Sequence, residues 1–123
     1  MTNLIRNSRI TAVVAAALLA TSAGAATVSE CITDVQIAKN DINDATTFVS
    51  TKDQVGLSGK ADSAMQKLDM AKLADASQVL ADMAAKVTTL ATAAKPKLGA
   101  ADAALISADI STAQACVTQL MTQ

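Results

Sequence analysis

An all-α fold, an up-down-up-down four-helix bundle closed by one disulfide, is what the 123-residue sequence predicts. Three observations carry that expectation. Apolar residues at Leu73, Ala76, Leu80, Met83, Val87, Leu90 and Ala94 recur at alternating intervals of three and four, which draws one continuous stripe down a helix of about six turns. Similar stripes precede and follow it, separated by short breaker segments, and short connections favour antiparallel neighbours. Finally, Cys31 and Cys116 fall in the first turn of the first predicted helix and near the last turn of the fourth, which such a topology brings to the same end.

The N-terminal 26 residues read as a leader. Met1 to Arg9 holds the chain's only two arginines, Arg6 and Arg9, and an apolar run from Ile10 to Ala20 follows. Ser22-Ala23-Gly24-Ala25-Ala26 then supplies small residues at the spacing a signal peptidase accepts, with cleavage after Ala25 or Ala26. The run is too short for a stable membrane anchor, which needs about 20 apolar residues. Glu30 before Cys31 occupies a position where lipoprotein processing requires a small residue, so no lipid anchor is expected. The organisation expected is therefore a signal peptide over 1–26 and a single helical domain over 27–123, secreted or held in the cell envelope, extracellular or periplasmic, with no transmembrane span once the leader is gone. In that compartment an isolated cysteine pair is most simply one disulfide, Cys31 to Cys116.

Thr27-Val28-Ser29-Glu30 has the form of a capping box and starts the first helix. Its buried face reads Cys31, Val35, Ala38, Ile42, Ala45 and Val49, flanked by Ile32 and Phe48, and the helix is expected to fade near Ser50-Thr51. A strand would set Asp34, Asp41 and Asp44 beside buried residues. Thr51-Lys52-Asp53-Gln54 is a second possible capping box, yet Gly56 and Gly59 weaken a helix through them, so residues 51–60 read as a connection with a turn or two of irregular helix. The stripe resumes at Leu57, Ala61, Ala64 and Leu68, with Met65 beside it. Five residues then separate Leu68 from Leu73, more than a straight helix face supplies, which predicts a turn near Ala71 to Ala74. Pro96 and Gly99 end the central helix, and a last helix begins at Ala100 or Asp102. Its stripe is Leu105 or Ile106, Asp109 or Ile110, Ala113, Cys116 or Val117, and Leu120.

Composition excludes several functions. After residue 26, eight lysines against eleven acids leave a net charge of −3, and no Arg, His, Trp or Tyr remains. That chain has neither the basic footprint nor the stacking groups of a nucleic-acid binder. Without histidine there is no imidazole base and no usual haem ligand, and a single Glu cannot furnish a di-iron carboxylate site. Glycines are too few and scattered to cradle a phosphate, and no Ser or Thr has an evident activating partner. An enzyme is not expected, nor a cofactor, nor a metal site. Asn40-Asp41-Ile42-Asn43-Asp44 offers calcium-type oxygens but lacks the Gly turn and distal acid of a calcium loop, and reads as a solvated helix face. Met65, Met70, Met83 and Met121 read as gap-fillers of a thin core. The lysines read as solubilising charges, since acids alternate with them.

From Leu57 to Leu120 the chain resembles FIMAH, a small helical module attached to secreted bacterial proteins. The likeness is carried by Ala64-Met65-Gln66-Lys67-Leu68, by Lys72-Leu73-Ala74-Asp75-Ala76 with Leu80, by Lys86-Val87 and Leu90, and by Lys97-Leu98 with Ala101-Asp102-Ala103-Ala104-Leu105-Ile106. Met83 stands where that family has an aromatic residue. The resemblance implies a helical, non-catalytic accessory unit. The function expected is contact with a protein or cell-surface partner whose identity the sequence leaves open. A carrier of a small apolar ligand or lipid, or an inhibitor of an exported enzyme, are the alternatives.

Overall fold

A computed structural model describes residues 25–123, so the leader assigned to 1–26 lies outside the described residues apart from Ala25 and Ala26. Four helices follow one another: α1 (Val28–Asp44), α2 (Thr51–Asp69), α3 (Leu73–Thr92) and α4 (Ala100–Met121). They form a ring in which α1 packs on α2 and α4, and α3 on the same two, while diagonal helices do not approach. With connections this short, neighbours run antiparallel, and the predicted four-helix bundle is the observed architecture.

The core follows the predicted stripes closely. Val35, Ala38 and Ile42 of α1, Leu57, Ala61, Ala64 and Leu68 of α2, and Ala76, Leu80, Met83, Val87 and Leu90 of α3 are buried. On α4 the ambiguous positions resolve to Ile106, Ile110 and Val117, with Ala103 and Ala113; Leu105 is left half-exposed. The buried set mixes small residues, Ala38, Ala61 and Ala64, with large ones, Leu80, Met83 and Ile110, as close packing requires. Among the described residues no polar or charged residue is buried.

Three boundaries differ from the sequence reading. The first helix stops at Asp44 rather than near Ser50-Thr51, leaving Ala45 half-buried and Val49 73% exposed. Thr46, Thr47 and Val49 are β-branched and lose side-chain freedom in a helix. Their segment also finds better partners outside one. The Val49 N–H donates to the Lys97 carbonyl at 3.0 Å, and the Thr47 hydroxyl donates to the Asp102 carboxylate at 2.5 Å while accepting from the Gly99 N–H at 2.9 Å. These bonds tie the α1–α2 loop to the α3–α4 loop.

The second difference is that residues 51–60 are regular helix. The predicted capping box at Thr51 does not form, since Ser50 is the N-cap and makes no side-chain bond. Gln54 turns outward instead, donating its amide to the carbonyls of Ile42 at 2.8 Å and Ala45 at 3.1 Å, and so closes the C-terminus of α1. Gly56 and Gly59 are exposed on this helix and tolerated because Leu57 and Ala61 anchor its other face. Third, α3 ends at Thr92, leaving Ala94 exposed, and the Lys97 N–H reaches back to the Leu90 carbonyl at 2.8 Å. That wrap buries Leu98, a core residue the periodicity did not reveal.

The predicted turn after Leu68 occupies Met70 to Lys72. Ala71 takes φ 58°, its N–H bonds the Leu68 carbonyl at 2.9 Å, and the Lys72 N–H bonds the Lys67 carbonyl at 2.8 Å. This is a Schellman ending with alanine at the left-handed position that glycine normally fills.

Four substitutions test this account by urea denaturation. Ala71→Gly relieves the left-handed alanine and raises stability by about 0.5–1 kcal/mol. Gly56→Ala and Gly59→Ala, whose new methyls meet nothing within 4 Å, each add about 0.5–1 kcal/mol. Gly99→Ala does the opposite, since its Cβ would lie 2.7 Å from the Thr47 hydroxyl oxygen. A loss of about 1–3 kcal/mol is the scale for such overpacking.

Candidate functional site

Thr27 and Glu30 form the predicted capping box. The Thr27 hydroxyl accepts from the Glu30 N–H at 3.1 Å, and the Thr27 N–H donates to the Glu30 carboxylate at 2.9 Å. This fixes the start of α1 and places Cys31 on its buried face. Cys31 and Cys116 are joined, with Cα atoms 5.5 Å apart and a sequence separation of 85. The two predicted site residues are thus brought together at the end where α1 begins and α4 finishes.

Beside the disulfide runs an open groove of about 630 Å³ between α1 and α4. Ser29, Glu30, Thr33 and Asp34 line it from α1, Ala115, Cys116 and Gln119 from α4, and Ala25 and Ala26 close its end. Asp34 is its distinctive group. Burial, and then the negative charge of Glu30 one turn away, push its carboxyl up to about 6. The sequence reading passed over Asp34, although a signal existed: it lies four residues after Glu30 and three after the buried Cys31, which puts a like-charged pair against the α4 seam.

Charge is distributed unevenly around the ring. Helices α1 and α4 carry six acids and a single lysine, Lys39, whereas α2 and α3 carry five acids and four lysines. Lys39 moreover pairs with Asp62 of α2 at 2.6 Å. Glu30, Asp34, Ile37 and Asp41 follow one another at helical spacing along the same face of α1. Leu105 lies eleven residues before Cys116, three turns along the same side of α4. Ile37 and Leu105 are 46% and 45% exposed, so this seam is acidic with two accessible aliphatic side chains.

Asn40 to Asp44, the methionines and the lysines singled out in the sequence do not line the groove, and Met70 and Met121, read as core gap-fillers, are exposed instead. Asn40 to Asp44 forms the last turns of α1: Ile42 is buried, and Asn40 accepts a bond from Gln36 at 2.9 Å. Among the described residues no group of three or more His, Cys, Asp or Glu is placed to hold a metal ion. Met83 is buried and Met65 half-buried, while Met70 and Met121 reach the surface at the disulfide end. The hydroxyls of Thr33, Thr89, Thr92 and Thr112 donate to carbonyls four residues earlier in their own helices. Lys86 meets Asp53 at 3.3 Å.

No family model matches the chain, and neither does any curated protein or solved structure.

Opening the disulfide by Cys31→Ser or Cys116→Ser lowers stability by up to about 4–5 kcal/mol, the loop-entropy scale for so long a closed loop, measured by denaturation against the parent. Asp34 gives a pH signature in protein that keeps Ala25 in peptide linkage. Because its carboxyl titrates higher folded than unfolded, the unfolded state holds fewer protons between pH 3.8 and about 6, and stability falls as pH rises through that window. Asp34→Asn removes this decline and raises the melting temperature at pH 7 to 8.

Proposed function

We propose that this chain is an exported, non-catalytic helical bundle that acts by contact with a protein partner, and that the α1–α4 seam is its contact surface. The observation that carries the reading is the segregation of charge on that seam: acids in helical register along α1, Ile37 and Leu105 exposed beside them, and Lys39 drawn away to α2. A partner face with lysine or arginine around an apolar centre is the chemistry that complements it, since charge steers encounter and aliphatic burial supplies affinity.

Export is supported by the basic, apolar and small-residue order of the leader and by the cysteine pair, which persists in oxidising compartments. No described helix is long and apolar enough to cross a membrane. The resemblance to FIMAH points the same way, to an accessory unit. Contact is favoured over carriage of an apolar ligand because the inward positions of all four helices are filled by the chain's own side chains.

Crosslinking in the native envelope or culture fluid tests the reading. The expected result is a partner joined at the α1–α4 seam, no longer captured when the crosslinker is added at high salt, and lost with Ile37→Glu or Leu105→Glu but kept with Val55→Glu on α2. A strictly monomeric protein with no crosslinked partner in any fraction overturns it.

A further inference from the structure

Among the described residues, the groove beside the disulfide gathers two carboxylates and no cation. Glu30 and Asp34 line it, α4 contributes Ala115, Cys116 and Gln119, and α4 contains no basic residue at all. Two further residues reach the same groove, Ala25 and Ala26, and both belong to the segment where the leader is expected to be cut. We propose that the leader is removed between Ala25 and Ala26 and that the ammonium group created on Ala26 becomes the groove's resident cation, held against Glu30 and Asp34. The inference rests on the export reading above. Chemically, water adds across the Ala25–Ala26 amide under a signal peptidase; Ala25 leaves with the new carboxylate, and the Ala26 nitrogen takes up the protons that make it ammonium.

Three features select this bond over the next one. Ala23-Gly24-Ala25 places alanine at both positions that a signal peptidase reads before the cut. The Ala26 carbonyl accepts a bond from the Gln123 side chain at 3.2 Å, tying the start of the domain to its far terminus, and a cut after Ala26 would remove that acceptor. The same cut would turn the Thr27 amide, which donates within the capping box, into a cation at the N-terminus of α1, where the helix dipole opposes positive charge. A cut after Ala25 keeps both bonds and moves the charge one residue outward, into the acidic groove. Burial and Glu30 hold the Asp34 carboxyl high in the uncut linkage, and a neighbouring ammonium offsets both effects.

Exporting the full-length chain and sequencing the purified product from its amino end tests the site. Ala26 as first residue is the expected result. Thr27 as first residue overturns this inference and leaves export intact, whereas an intact Met1 overturns both. The placement of the charge has its own readout. Glu30 is the one other carboxylate lining the groove beside Asp34, and α4 contributes only Ala115, Gln119 and the disulfide-bonded Cys116 there. Carboxyl NMR titration of the exported protein and of the same protein selectively acetylated at its α-amine should therefore differ at Asp34, with the midpoint about one pH unit higher after acetylation. Identical midpoints overturn the ion pairing.

Discussion

The bundle depends on a covalent tie between helices that otherwise hold one another weakly. Its inner faces are rich in alanine, the one aromatic residue, Phe48, is only half-buried, and among the described residues no polar residue is fully buried between the helices. A domain of this size has a small interior in any case. Joining α1 to α4 through Cys31 and Cys116 removes much of the freedom of the open chain and fixes the seam between the first helix and the last. The α1–α4 groove, the acidic row on α1 and the exposed Ile37 and Leu105 are all defined relative to that seam.

The two ends of the bundle are closed by different physics. At one end the tie is covalent, reinforced by the Thr27–Glu30 capping box. At the other it consists of exposed hydrogen bonds, Thr47 to Asp102 and Gly99, and Val49 to Lys97, with Gln54 covering the last carbonyls of α1. Those bonds compete with water and contribute individually on the order of 1 kcal/mol. Gly99 matters there because a side chain would displace Thr47 from the position that makes two of them.

The sequence was most legible where a single period governed it. In α2 and α3 the spacing of apolar residues named the buried positions directly, because one stripe faces one core. It failed where tertiary contacts outweighed local pattern. Ala45 and Val49 continued the rhythm of α1, yet β-branched neighbours and bonds to the opposite loop drew the chain out of the helix. Gly56 and Gly59 argued against helix, yet both are exposed, and the anchoring of Leu57 outweighed their cost. Leu98 has no periodic partner and is buried only because the chain wraps back on Leu90. At the candidate site, the cysteine pairing was readable from topology, whereas Asp34 needed the folded structure: its carboxyl is raised first by burial and then by the charge of Glu30.

The bond from Gln123 to Ala26 sets the beginning and the finish of the domain side by side, and this gives the rod a direction. Anything joined to either terminus, whether another domain or a surface tether, would leave from the sulfur-bridged tip, and the loop-bearing tip would project outward. At 1.5 Å per residue the reach of α4 is about 33 Å, so the outer loops would stand roughly that far above whatever holds the base.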